Sequence, residues 1–325
     1  MATVAIVVPV YATEENMRLN YMCQTLESVA NQTFKDIVCI VVDDDSKVDV
    51  EGFVSGFNNP KFRYVRREKK DGELKTASNA LNMGFGLAMD KSSDVFSSRE
   101  AQDLAAICYL HSDDLLPRSS VAKRLKQLDA KAPFVFSNII TINAEGNVLG
   151  EIAWAFPNVK KSNLRRFPHH SSMWSIDFAK SIRDYVACHY SSEGIFDPQL
   201  SHYEDRDASI SAVETANDIG ASIKHIASPL YVYRLHESSI SRDPEREVRI
   251  LVQRPYVEGK HNLQAYHAPI IQHMMLDLPW SVFYALPEGV KSRIRPIKDA
   301  VKGFFGSSHT QEKNLPTLQE ILTQP

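Results

Sequence analysis

Along the first half of the chain the hydrophobic positions alternate between two kinds of run. Val4 to Val10 is a continuous apolar run, mostly β-branched, which predicts a strand buried on both faces. From Asn16 to Asn31 the period changes, and Leu19, Met22, Cys23, Leu26 and Val29 fall on one side of a predicted helix. Ile37 to Val42 predicts a second buried strand that stops abruptly at Asp43-Asp44-Asp45, and Phe62 to Val65 a short third. Lys75 to Met89 has helical spacing, with Ala77, Leu81, Phe85 and Ala88 aligned. Ala105 to Leu110 predicts a fourth strand that ends at His111-Ser112-Asp113-Asp114. A helix from Ser119 to Ala130 and a strand from Phe134 to Ile142 follow.

Strands alternating with helices of this length predict an α/β fold, Rossmann-like, with a mostly parallel sheet covered by helices on both faces. Ligands of such sheets bind at the carboxyl ends of the strands, where both acidic clusters lie. From about Gly150 the pattern loosens into short elements mixed with aromatics and histidines. From about Asp243 the chain reads as helical and more polar, and its last twenty residues as a loosely held tail.

Composition narrows the function classes. A net charge of −3 lacks the strongly basic footprint of a nucleic-acid binder. Cys23, Cys39, Cys108 and Cys188 show no zinc spacing, and three of them sit in apolar or helical surroundings that suit reduced thiols. No apolar run approaches the roughly 20 residues of a membrane span, and the start lacks the basic region of a signal peptide. The expected location is cytoplasmic.

Four polar stretches carry candidate chemistry. Asp43-Asp44-Asp45-Ser46 ends a strand and reads equally as a ligand-binding turn or a solvated one. Asp113 and Asp114, straight after another strand, offer hard oxygen ligands to a divalent cation; the alternative is an N-cap for the next helix. Glu204-Asp205 opens a helix, where acids favour the dipole, or where one carboxylate serves as a general base. Arg234-Leu235-His236 supplies a cation for phosphate and an imidazole for a metal; the alternative is a structural histidine, the commoner role of a lone one.

Taken together, these stretches resemble the GT-A-fold glycosyltransferases of the large inverting family two. Pro9-Val10-Tyr11 resembles the turn after that family's opening strand, and Val41 to Ser46 its base-binding segment, with Asp45 where glycine is common. Ala80-Leu81-Asn82-Met83-Gly84 is similar to the helix beneath the diphosphate, with Lys75 just before it. His111-Ser112-Asp113-Asp114 resembles the DxD metal motif, His111 replacing the first acid; Glu204-Asp205 resembles the ED motif, and His236 the late metal histidine.

The resemblance, carried by about residues 3–241, implies a catalytic domain over 1–241, with a donor half of about 1–117 and an acceptor half of about 118–241; the pattern beyond it predicts a helical extension over 242–325. It implies a nucleotide-sugar donor held by Pro9, Val10, Tyr11, Asp43, Asp44, Lys75, Asn82, Ser112, Asp113 and Arg234. Asp113, Asp114 and His236 would hold Mn²⁺ or Mg²⁺, and Asp205, beside Glu204, would be the base in a single inverting displacement. His170 and Trp174 would border a saccharide or lipid-linked acceptor, with a buried aromatic strand as the alternative. The segment Asp90 to Asp103 reads as a surface insertion.

Between 290 and 305, apolar residues at helical spacing alternate with Lys291, Arg293, Arg295, Lys298 and Lys302. Such a stretch can lie on the inner face of an anionic membrane, or be an ordinary packed helix with a solvated face. A nucleotide-sugar-binding scaffold without transferase activity is the competing function. A nicotinamide-dependent oxidoreductase is rejected because Pro9 to Thr13 has no glycine, and a Walker A hydrolase fails likewise.

Overall fold

The central strand of the fold is β1 (Thr3–Val10), flanked on both sides by parallel neighbours, β2 (Ile37–Asp44) and β4 (Leu104–Tyr109). β3 (Phe62–Arg67) extends the parallel set beyond β2. The computed structural model describes residues 2–16, 18–69, 73, 76–156, 158–160, 167, 169–237, 246–263 and 316–323.

All residues of β1 and β2 are buried, which is why their sequences are apolar runs rather than alternating ones. Alternate side chains go to opposite layers. Val4, Ile6 and Val8 pack with Met22, Leu26 and Val29 of α1 (Arg18–Ala30). Ala5 and Val7 pack with Ala80, Leu81, Phe85 and Ala88 of α3 (Ser78–Met89) on the other face. α2 (Val50–Gly56) links β2 to β3. Gly84 faces Val7 so closely that a Cβ there would collide with the valine side chain, so α3 sits directly against β1.

Beyond β4 the sheet turns antiparallel. β7 (Met173–Ser175) joins β4 to β5 (Phe134–Asn143), which also pairs antiparallel with β6 (Val148–Ile152) and parallel with β8 (Ile223–Leu235). The strand order is β3-β2-β1-β4-β7-β5-β6, with β8 on β5. The expected α/β sheet with helices on both faces is what forms.

Several boundaries differ. β3 runs two residues past the expected Val65, which sets Arg66 opposite Asp43 and Arg67 opposite Asp44. The helix expected over Ser119 to Ala130 is only α5 (Ser120–Leu125). The expected surface insertion at 90–103 is anchored: Val95 and Phe96 are buried in the core, and α4 (Ser98–Asp103) begins with a Ser97–Glu100 capping box. Cys39 and Cys108 are buried thiols, Cys23 is partly covered, and Cys188 is exposed.

In the second half, α6 (Ile176–Tyr190) and α7 (Glu204–Asp218) pack into the core layer of α3. α8 (Arg246–Lys260) follows, and α9 (Leu318–Thr323) inserts Ile321 among Leu115, Ile140, Ile142 and Val232. A loosely held tail is therefore the wrong description of residues 318–323. The described residues belong to one compact unit, 1–263 with 316–325. Among them no helix is long and apolar enough to cross a membrane. Lys75, Ser238 to Ser241 and the stretch 290–305 lie outside the described residues.

Candidate active site

Because β1, β2 and β4 run parallel, the segments that follow them emerge at one edge of the sheet. The first acidic cluster is no solvated turn: Asp43, Asp44 and Ser46 are at most 5% exposed. Asp43 Oδ1 accepts from the Ser46 amide at 2.8 Å, and Oδ2 accepts from the Tyr64 hydroxyl at 2.8 Å and from Arg66 at 3.2 Å. Asp44 accepts from Arg67 Nε at 2.6 Å and from Lys69 at 3.4 Å. Asp45 takes the left-handed conformation where glycine would be favoured, φ 63°, and pairs with Lys47 and Arg66. The Ser46 hydroxyl accepts from the Ala12 amide, tying this loop to the end of β1. Pro9 and Val10 are buried within β1, and half-buried Tyr11 lies with its ring 5.3 Å from the Lys69 ammonium.

The second cluster divides its two aspartates. Asp114 is fully buried, its Oδ2 accepting from the Tyr231 hydroxyl at 2.6 Å and its Oδ1 from the Arg234 amide at 2.8 Å. Burial, with the neighbouring Asp113 charge, pushes its carboxyl well above the usual range. Its expected place among the metal ligands is therefore corrected: both oxygens are taken up by Tyr231 and Arg234, and the carboxyl holds the loop. Neither aspartate caps a helix, since Ser119 precedes α5.

Asp113 faces the other way. Its Oδ2 lies 2.9 Å from His236 Nε2 and forms an ion pair with Arg18. Burial acts to raise this carboxyl, but the Arg18 guanidinium and the His236 hydrogen bond outweigh it and hold it below the ordinary carboxylate range. Ser112 is buried beside it. Burial is also the main influence lowering the imidazole of His111, which packs edge-on against Tyr109 and His170.

Arg234 was expected from the sequence to bind phosphate, but its guanidinium is engaged elsewhere. It is 1% exposed and donates to the carbonyls of Asp113 and Ala144 and to Gln24 Oε1, at 2.9, 3.0 and 2.7 Å. It locks β8 to the aspartate loop instead. Asn82 is also corrected: its amide exchanges two hydrogen bonds with the Phe196 backbone, at 2.7 and 2.9 Å.

The third segment begins at Tyr203, in the left-handed region at φ 68°, with no side-chain cap on α7. Burial, reinforced by the adjacent Asp205 charge, pushes Glu204 up to about 8, so it is mostly protonated at neutral pH. Asp205 Oδ1 accepts from the Arg206 amide at 2.7 Å, and its Oδ2 is 3.3 Å from His170 Nδ1. His170 packs among His111, Tyr231 and Tyr233, with ring centroids 5.1 to 5.9 Å apart. It thus joins the Glu204-Asp205 turn to the His111–Asp114 loop. Trp174, by contrast, is a core residue at 2% exposure, packed on Phe85, Phe134 and Phe196, so its expected acceptor contact is withdrawn.

A divalent ion fits this site only in part. Among the described residues no three acidic, histidine or cysteine groups are arranged around one point. The Asp113–His236 pair offers one hard oxygen and one imidazole, a set that phosphate oxygens and water would have to complete. Sequence reading missed Arg18, Tyr231, Arg66, Arg67 and Lys69. The one signal for Arg66, Arg67 and Lys69 was a basic end to β3, opposite an acidic end to β2.

The family model described as glycosyl transferase family 2 matches residues 5–176. An uncharacterized glycosyltransferase of Rickettsia bellii is 29% identical over 153 residues, covering 46% of this chain and 19% of that protein. Another, of Methanocaldococcus jannaschii, is 26% identical over 148 residues, covering 43% and 45%. The matched stretch thus spans less than half of either relative's own length. Among solved structures, S. aureus TarS 1-349 in complex with UDP-GlcNAc aligns with a TM-score of 0.57 at 14% identity, over 93% of this chain and 92% of that one. The same protein in complex with UDP aligns at 0.54 and 16% identity, over 98% and 76%. At such identities the likeness concerns the fold, which is the GT-A fold. The family match, however, takes in more than half of the 325 residues, including both strand-end aspartate clusters, and by it the chain belongs to glycosyl transferase family 2.

Proposed function

We propose that this protein transfers a sugar from a nucleoside-diphosphate donor to a hydroxyl of a saccharide or lipid-linked acceptor, inverting the anomeric carbon. The reading is supported above all by the contact of His170 with both Asp205 and His111, which brings a candidate base beside the loop that carries Asp113. Asp43 and Tyr11, at the ends of β2 and β1, form the expected nucleoside side of the site.

In this mechanism Asp205 accepts the proton of the acceptor hydroxyl as its oxygen bonds to the anomeric carbon. The bond to the diphosphate breaks on the opposite face, and the nucleoside diphosphate leaves. Mostly protonated, Glu204 adds little competing negative charge beside Asp205. Arg18 contributes positive charge next to Asp113. Asp113 and His236 would hold a divalent cation against the diphosphate; when bound, that ion supplies neutralisation of the leaving group's charge.

Calorimetry with UDP-, GDP- and dTDP-sugars, each with Mn²⁺ and with EDTA, tests the reading. Metal-dependent binding of one nucleotide class is expected. A folded protein that binds none of them would support the scaffold reading instead.

A further inference from the structure

A second polar cluster lies away from the nucleotide loops and is built by α8. Gln253, Tyr256, Val257 and Lys260 recur at helical spacing on one face, and His261 follows directly after the helix. That face grips the segment 197–207, which carries the Glu204-Asp205 turn. Gln253 accepts from the His202 amide at 2.8 Å and donates to the Ser201 hydroxyl at 3.0 Å. Tyr256 donates to Asp197 at 2.9 Å, and Lys260 bridges Asp197 and Asp207 at 2.9 and 2.8 Å. His261 places one ring nitrogen 2.8 Å from Asp207 and the other 2.8 Å from Glu214, which also accepts from the Tyr190 hydroxyl at 2.6 Å.

The arrangement has an electrostatic reason. α7 opens with Glu204, Asp205 and Asp207 in one turn, preceded by a left-handed Tyr203 and lacking a side-chain cap. The carboxylates of Asp205 and Asp207, so close, repel one another, and the helix dipole offsets only part of that. Lys260 and His261 compensate Asp207 from the far side of the turn, in a setting where Asp207 is 1% exposed and His261 fully buried. Burial acts to lower the imidazole of His261, but its hydrogen bonds to Asp207 and Glu214 outweigh that and shift it upward, toward the charged form.

We propose that α8 is a splint for the proton-accepting turn: Gln253, Lys260 and His261 are positioning residues that fix the 197–207 segment and so set where Asp205 meets the acceptor. The inference rests on the reading of Asp205 as the base. The hydrogen bonds described above run from these three residues to 197–207 and Glu214, in the acceptor half, so they are expected to govern turnover rather than donor affinity.

The test compares full-length K260M, K260R, H261Q, Q253A and D205N. Donor affinity is measured by calorimetry with the nucleotide-sugar selected from the panel. Turnover is followed as nucleoside-diphosphate release, with water and a set of methyl glycosides as acceptors. Hydrogen exchange follows the amides of 203–207.

K260M and H261Q are expected to lose about tenfold or more in turnover, since an ångström-scale misplacement costs up to about a hundredfold. Donor Kd should stay within about twofold, because a positioning defect at the acceptor side leaves ground-state donor binding intact. The 203–207 amides should exchange faster, and K260R, which can still bridge two carboxylates, should recover most of the turnover.

Folded K260M and H261Q proteins with wild-type turnover would overturn the splint. If those two fail to fold, Q253A decides: faster exchange at 203–207 with reduced turnover supports it, and wild-type values for both overturn it. Unchanged turnover in D205N would overturn the base assignment itself, an outcome separate from the others.

Discussion

Tyr231 donates its phenolic proton to Asp114 at 2.6 Å, across the junction of β8 with the loop that follows β4. The bond turns one of two adjacent aspartates into a structural post and leaves Asp113 to face Arg18 and His236. Replacing Tyr231 with Phe removes that donor from a fully buried carboxyl. A buried polar group deprived of a partner costs about 1–3 kcal/mol, so Y231F should unfold at correspondingly lower urea. Donor affinity should fall with it, because Asp113 shares the loop.

Asp205→Asn should reduce transfer by about a hundredfold to ten-thousandfold, the usual worth of a general base, while donor binding stays near wild type. The comparison needs calorimetry and turnover on the same preparation. Lost donor affinity with persisting turnover would contradict the assignment.

The Asp113–His236 pair offers too few ligands to hold a cation tightly by itself. Mn²⁺ is therefore expected to bind weakly to the free protein and far more tightly with nucleoside diphosphate present. His236→Ala should remove the metal-dependent part of donor affinity and leave the value measured in EDTA unchanged. Tight Mn²⁺ binding to the free protein would refute the two-ligand description.

Glu204 gives a pH signature. Its folded-state value, about 8, lies above the ordinary 4.5, so the folded protein holds a proton that the unfolded chain has released across that window. Stability contributed by this group falls as pH rises from about 4.5 to about 8 and then levels off. Glu204→Gln abolishes the titration. Its melting temperature should therefore gain on wild type from pH 5 to pH 8, and a constant difference over that range would count against a buried, protonated Glu204.

The histidines of the 3₁₀ turn, His169–Ser171, act in the opposite sense. Burial lowers His169 to about 4 and His170 to about 3, against an ordinary 6.5. Unfolded imidazoles take up protons first, so their contribution to stability is lost as pH falls from about 6.5 toward 4. Acid titration of H169N should show a shallower decline than wild type over that range, by urea midpoints.

The strands β1, β2 and β4 were legible because they are buried on both faces, and such strands must be apolar throughout. Their ends were legible for the same reason, as an aspartate directly after an apolar run marks where the sheet meets solvent or ligand. Local pattern thus located Asp43, Asp113 and, through a helix start, Asp205. It could not assign the neighbours, because Asp113 and Asp114 are indistinguishable by type, position or spacing.

What the sequence determined by itself is the layered α/β sheet, from the period of its apolar residues, and the strand-end positions of its acidic groups. Tertiary structure alone decided which carboxylate faces the candidate site, by bringing Tyr231 and Arg234 to Asp114 from 117 and 120 residues away. It also closed Asn82 onto Phe196, buried Trp174 in the core, and set Lys260 and His261 against Asp207. The physical reason is that a polar side chain's role follows from the partner that satisfies it in the folded state. That partner is supplied by packing across the chain, where no local periodicity records it.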